Sequence, residues 1–422
     1  MKQKLALFLS TASLLHAGSP DIETPLVAKA EPWIKPTLEL RARYEYADIE
    51  AKDSANALTV RERLGLKTTS CNGFSALIEG EFTQVAVDKY NGGAIGSNPF
   101  NPSDSLIADP ATHELNQGYL QYQGFETTVK AGRQRVIYDN AAFIGNVGWR
   151  QNEQTLDAIS LANQSVDHLS LNYAYVNQVN RIFGSEANAP LVNKPPALYD
   201  NVEYIGSNIN LINASYDGIQ GLTLGSYAYL MQFKDKQNWD NNTFGVSAKG
   251  KLGEIALSGE LAWQDQAGPK ADGSAFYAHA TANKSFGKQN LSLSIEELGA
   301  GFKTPLATAH AFNGYADAFV SGRLEGNHNG LTDVSAAYTV PIFFGVMWTN
   351  ALHAFGDNKI SSGYGWEYDS VLLKKFDDHF TALAKVAVFD AGNDPYIDKL
   401  YNPRQLGLMD TTRFSVELDY TF

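Results

Sequence analysis

The chain has 422 residues, a formal net charge of −13, 44% hydrophobic and 12% aromatic residues, and one cysteine, Cys71. The negative balance argues against nucleic acid as a partner, because its phosphates would be repelled. A single cysteine excludes an internal disulfide, and beyond Leu15 no apolar run reaches the roughly 18 residues of a transmembrane helix.

Met1-Lys2-Gln3-Lys4 is basic, Leu5 to Leu15 is apolar but too short to span a bilayer, and the small residues Ala17 and Gly18 follow. This order predicts a secretory signal peptide over residues 1–17, cleaved after Ala17. Residues 18–36 are expected to form an N-terminal periplasmic segment, and residues 37–422 the main domain.

That domain opens on alternation. Leu38, Leu40, Ala42, Tyr44 and Tyr46 interleave with Glu39, Arg41, Arg43 and Glu45. The next run sets Leu58, Val60, Leu64 and Leu66 against Arg61, Arg63 and Lys67, with Glu62 breaking the apolar row. A third sets Phe74, Ala76, Ile78 and Phe82 against Glu79, Glu81 and Thr83. Period two gives each strand one apolar and one wet face. In a membrane barrel the wet face lines the lumen, since an Arg or Lys facing lipid at mid-membrane costs roughly 2–4 kcal/mol.

Strands near 113–122 and 125–133 follow. In the second, Arg133 shares parity with Val129 and Ala131, which places a bulge or the membrane edge near Gly132. From Gly132 to Asp157 the chain then becomes dense in polar groups. Arg133, Gln134, Arg135, Asp139, Asn140, Asn146, Arg150, Gln151, Asn152 and Asp157 surround Ile137, Phe143, Ile144, Val147 and Trp149. Such a segment suits a constriction loop, 132–157, folded into a polar lumen where its charges find partners. A solvated surface loop pinned by its aromatics is the alternative.

The residues Gly132-Arg133-Gln134, Asp139-Asn140, Phe143 to Asn146, Trp149 to Asn152 and Gln154-Thr155 resemble the alginate-export family of outer-membrane porins. So does the run from Asp109-Pro110 to Glu114-Leu115-Asn116-Gln117, with Tyr119-Leu120. The resemblance covers roughly residues 105–160 and implies an eighteen-stranded barrel in the outer membrane. Two departures weigh against polyuronate export. The chain carries 46 acidic against 33 basic residues, whereas the family's exporter has a strongly basic conduit. The turn near Phe376–His379 is also short where that exporter has a long lid.

Further strands are expected near 154–163, 167–179, 206–216, 221–231, 241–252, 254–264, 274–286, 289–298, 329–340, 343–355, 363–375, 379–390 and 411–422, making about eighteen. In the last, Phe414, Val416, Leu418, Tyr420 and Phe422 alternate without exception with Arg413, Ser415, Glu417, Asp419 and Thr421. Long connections (48–56, 87–112, 134–153, 180–205, 232–240, 265–273, 299–328, 356–362, 391–410) alternate with very short turns. That rhythm predicts an all-β, antiparallel up-and-down barrel with long extracellular loops, short periplasmic turns and both termini in the periplasm. Segment 87–112 is placed across the mouth, 180–205 is expected to be extended, and Ala307 to Leu324 is either a short capping helix or an irregular loop.

No histidine lies in a motif with a Ser or Asp partner, no metal-ligand spacing occurs, and no phosphate loop precedes a helix. The reading is therefore a channel, not an enzyme, with no cofactor. Pore-lining candidates are Arg41, Arg43, Arg61, Arg63, Arg133, Arg135 and Arg150 as a basic track, Glu79, Glu81 and Asp157 orienting it, and Asp139 and Asn140 in the loop. The expected partners are small hydrophilic or anionic solutes, outer-membrane lipid and lipopolysaccharide, and the outer-membrane assembly machinery, which would read the terminal Phe422. A polysaccharide-export pore and an adhesive barrel with a plugged lumen remain the rival readings.

Overall fold

The computed structural model describes residues 32–184, 187, 204–265, 273–327, 329–358, 363–392 and 408–422. The expected signal peptide and most of the segment after it lie outside these residues. Within them, eighteen antiparallel strands form one sheet that closes on itself. They are β1 (Ile34–Ile49), β2 (Ala55–Thr68), β3 (Phe74–Lys89), β4 (Thr112–Gly124), β5 (Thr127–Gln134), β6 (Thr155–Val166), β7 (Leu169–Asn180), β8 (Tyr204–Ile219) and β9 (Leu222–Phe233). The circuit continues through β10 (Asn241–Leu252), β11 (Ile255–Asp265), β12 (Ser274–Phe286), β13 (Gln289–Leu298), β14 (Leu331–Pro341), β15 (Met347–Gly356), β16 (Gly363–Lys375), β17 (Phe380–Ala391) and β18 (Thr411–Thr421). β1 pairs with β18 from Glu39↔Thr421 to Ile49↔Thr411, so no edge is left open. The barrel begins at Ile34, not at Thr37, because Ile34 to Pro36 still pair with Thr68 to Leu66.

The alternation read in the sequence sorts the side chains as expected, with the apolar row outside and the wet row inside. In β18 Arg413, Ser415 and Glu417 are buried, while Phe414, Val416 and Leu418 are exposed. Leu120, Ile78 and Leu352 are exposed on the same outer surface. A soluble sandwich would bury that row. A closed ladder satisfies its own backbone groups and can stand in hydrocarbon, which makes this a membrane-spanning barrel.

Glu62 lies on the outer face, half-buried between Leu40 on β1 and Phe82 on β3. Leu58 and Val60 precede it along the strand, and Leu64 and Leu66 follow it. Nothing in the structure explains this carboxylate.

Short turns gather at one end of the barrel and the long connections at the other. Three of the long ones carry the site. Residues 90–111 pack on the loop ends of β1 and β2, where Tyr90 and Ile107 are buried with Ala47, Ala55 and Ala57. This segment covers one side of the mouth, while the segments 135–154 and 299–330 fold down inside the barrel. The run 307–324 is mainly irregular: it holds a single 3-10 turn at Ala309–Ala311 and enters a short helix, α1 (Val320–Glu325). Most of 180–205, and with it the expected extended prolines, lies outside the described residues.

Candidate functional site

Segment 135–154 enters the lumen because its aromatics and its charges both find partners there. Phe143 is 6% exposed and packs among Tyr227 on β9 (ring centroids 5.3 Å), Tyr277 on β12 (5.1 Å) and Phe302 of the second segment (5.9 Å). Ring pairs at such spacings add about 0.5–1.5 kcal/mol each beyond area burial. The two segments then bond to one another. Gly145 N–H donates to Leu306 O (2.8 Å), Thr308 N–H to Ala141 O (3.0 Å), and Val147 N–H to Thr308 Oγ1 (3.0 Å). Gly145 is required by this approach, since a Cβ there would strike Thr308 Oγ1 and the Ala141 methyl.

The polar run at the end of the segment is buried against the early strands. Arg150 reaches Glu45 (3.2 Å), Asp317 (2.7 Å) and Asp109 (3.6 Å). Gln151 donates to Thr59 Oγ1 (2.8 Å), and Asn152 Oδ1 accepts from Thr83 (2.8 Å) and Thr112 (2.6 Å). Arg135 pairs with Glu153, which also accepts from Asn116 (2.6 Å) and lies 3.6 Å from Arg63. Burial pushes the Glu153 carboxyl up, but the guanidinium groups of Arg63 and Arg135 outweigh it and hold it at about 2.

The inward faces of β1, β2 and β3 supply the arginine track. Arg41 donates to Asp419 (2.7 Å) and to the carbonyls of Gly148 (3.0 Å) and Trp149 (3.1 Å). Arg43 is fully buried, bonds Glu417 (2.8 Å) and Asp109 (3.0 Å), and lies over the Trp149 ring at 3.9 Å. Arg63 pairs with Glu81 and with Glu39 (3.1 Å). Arg61 is buried with Glu39 beside its Nη2 (3.5 Å), and its Nε and Nη1 have no hydrogen-bond partner among the described residues. Glu79 accepts from Asn116 (2.8 Å) and Gln117 (3.0 Å). Asp139 reaches Asn213 on the inner face of β8 (2.8 Å), whereas Asn140 is exposed and caps its own turn at Ala142 N–H (3.1 Å).

Arg133 and Asp157 are the correction. They bond to each other (2.8 Å) opposite one another on β5 and β6, in step with Ala131 and Ile159 on the outer face. They do not line the pore. The register of β4, β5 and β6 runs unbroken through Gly132. Of the two readings for Gly132, the bulge is excluded, and β5 ends two residues further on at Gln134; register irregularities occur on other strands, at Asn116, which makes Gln117 and Leu115 face Glu79 and Gly80, and at Asn177 between Gln178 and Val176. Gly132 itself takes φ +128°, a conformation open to glycine, with its α-carbon against the Gly118 carbonyl.

Several site residues carried no loop or motif signal. Lys385 and Arg413 are buried inner-face residues of β17 and β18; His310, Tyr315, Asp317 and Arg323 come from the second segment. Alternation in the last strand does mark Arg413 and Glu417 as wet, so they were findable; the loop residues were not. Arg323 bonds Glu296 (2.8 Å) and Asn313 (2.8 Å), fastening α1 to β13. The inner wall of β11–β16 carries Glu260, Glu296, Asp333, Glu367 and Asp369. The lumen is thus an arginine arc on one side and a carboxylate arc on the other.

At the mouth a cavity of about 320 Å³ is lined by Arg150, Arg413, His310, Asp317 and Arg181, among others. A second, much smaller cavity of about 10 Å³ lies against the barrel wall between Glu45, Trp149, His310, Tyr315, Lys385 and Arg413. That is the room of roughly one water molecule.

No protein-family model matches the chain. Among solved structures it is similar to Acinetobacter baumannii OccAB1, with a TM-score of 0.66 at 12% identity over 92% of this chain and 96% of that one. It is similar to Pseudomonas aeruginosa OpdQ, with 0.64 at 14% over 92% and 98%. It is also similar to Pseudomonas aeruginosa OpdK, solved with vanillate, with 0.61 at 11% over 92% and 98%. These are Occ/Opd porins with eighteen-stranded barrels. They share this fold, and the resemblance to alginate exporters drawn from residues 105–160 gains no support from them.

Proposed function

We propose that the chain is an outer-membrane channel through which small hydrophilic solutes, organic anions among them, pass by selective diffusion without a covalent step. The observation that carries the reading is the arginine arc, with Arg61 flanked by Arg41 and Arg63 and two of its donors unmatched. A carboxylate presents two acceptor oxygens in the geometry a guanidinium fork binds best. The opposite carboxylate arc repels such a solute and keeps it on the arginine side. OpdK, a structural neighbour, was solved with vanillate, an aromatic carboxylate. The long loops would face outward and the short turns the periplasm. Lipid and lipopolysaccharide would contact the apolar band, and the assembly machinery would read Phe422.

Export of a charged polymer fits less well, because two segments fold into the lumen and one side of it is acidic. A permanently plugged adhesive barrel would need no arginine arc. Swelling of liposomes carrying the folded protein tests the proposal. Salts of small mono- and dicarboxylates are expected to enter faster than neutral sugars of similar size, and Arg61→Gln to reduce that advantage. Equal rates for both solute classes, or no swelling at all, would refute it.

A further inference from the structure

Where the two inward segments meet the barrel wall at β17, a chain of polar groups links them. His310 Nδ1 faces Asp317 Oδ1 at 2.6 Å, and Nε2 faces Lys385 Nζ at 2.8 Å. The imidazole is stacked on Trp149 at 4.4 Å, with the planes 3° apart, and on Tyr315 at 5.2 Å. The Lys385 ammonium lies 3.5 Å from the Trp149 ring centroid and 3.7 Å from that of Tyr315. Asp317 also takes Arg150 at 2.7 Å. So one imidazole joins the 299–330 segment, the 135–154 segment and the barrel wall at β17.

The bonding pattern fixes the protonation of that ring. With Lys385 as an ammonium, which has donors and no acceptor, Nε2 accepts from it and Nδ1 donates to Asp317. A second proton on His310 would set an N–H against the ammonium. The charged groups around it do not relieve this. Arg150 from the first segment, Arg43 from β1 and Arg413 from β18 oppose a further positive charge. Asp317, Glu45, Glu417, Glu367 and Asp369 favour it, but Asp317 and Glu45 already serve Arg150, Glu417 serves Arg43, and Glu367 and Asp369 hold the backbone N–H groups of Ala316 (2.6 Å) and Tyr315 (3.3 Å).

We infer that His310 is a proton-operated latch: neutral, it ties both inward segments to Lys385 and holds them in the lumen, which narrows it; protonated, it releases Lys385 and lets the Trp149 contact part. The inference rests on the channel reading above. Burial, with Lys385 and Arg150 adding to it against the pull of Asp317, lowers the His310 pKa to about 3 in the closed form. In the open form it returns toward the usual 6.5. Closure is therefore fully favoured above about 6.5 and weakens as pH falls from there toward 3, by at most tenfold in the closed-to-open ratio per pH unit.

Planar-bilayer recording of the folded full-length protein between pH 7.5 and 4.5 tests this. Open probability should rise about tenfold or more across that range. His310→Gln, which cannot take the second proton, should flatten the response, and His353→Gln, at a different, half-buried lumenal histidine, should leave it in place. Folding of each variant is checked by its faster migration on unheated gels. A pH-independent wild type, an unchanged response in His310→Gln, or a response lost in His353→Gln would overturn the latch alone. Absence of conductance at every pH in folded protein would overturn the channel reading and the latch with it.

Discussion

Removing Arg150 should free the inward segment from the wall. The guanidinium faces three buried carboxylates, those of Glu45, Asp109 and Asp317. Breaking a buried ion pair from one side costs about 3–5 kcal/mol, because the acids left behind stay out of water. Each acid here keeps a second basic neighbour: Arg413 for Glu45 (3.1 Å), Arg43 for Asp109 (3.0 Å) and His310 for Asp317 (2.6 Å). The cost for Arg150→Met therefore belongs at the low end, about 3 kcal/mol. That shifts the docked-to-undocked ratio of the segment roughly a hundredfold. The strand ladder contributes none of these bonds, so the barrel itself should persist. Single-channel conductance should rise and anion preference fall, while the unheated protein still migrates as the folded form. Unchanged conductance in Arg150→Met, or loss of the folded form, would refute the separation of segment from barrel on which the argument stands.

Phe143→Ala should undock the same segment from the aromatic side at a cost of about 3–5 kcal/mol, read as increased protease cutting between 135 and 154 with the strands still protected. Glu62→Leu should stabilise the barrel in lipid by about 1–2 kcal/mol, since an acidic residue on the lipid face costs somewhat less than a basic one; a raised temperature of gel-mobility conversion would show it, and a lowered one would mean that Glu62 has a partner in the membrane. Deleting Phe422, whose ring is exposed on the outward row and whose N–H bonds Leu38 O at 2.8 Å, should reduce assembly in vesicles far more than Thr421→Ser does.

The strands were legible because a tilted membrane strand must alternate, a rule that holds along β1, β3 and β18 and is broken in β2 by Glu62 alone. Count and order followed from the same pattern and the loop rhythm. Arg133 and Asp157 were misplaced although parity sets Arg133 in step with Val129 and Ala131: a bulge near Gly132 would have turned it inward, and the register of β4, β5 and β6 runs through that point unbroken. The inward course of 135–154 was legible because seven of the ten polar residues singled out between Gly132 and Asp157 fall within it, around five apolar ones, and need enclosed partners. The role of 299–330 was not, since His310, Asp317 and Arg323 acquire meaning only opposite Lys385, Arg150 and Glu296, far away in the chain.

The most direct test of the central claim is the reversal potential of the purified protein in a planar bilayer under a potassium chloride gradient at pH 5.5. Discrete conductance steps with a reversal potential displaced toward chloride are expected, with the displacement reduced in Arg61→Gln. Absence of steps from folded protein, or a displacement toward potassium, would contradict the account.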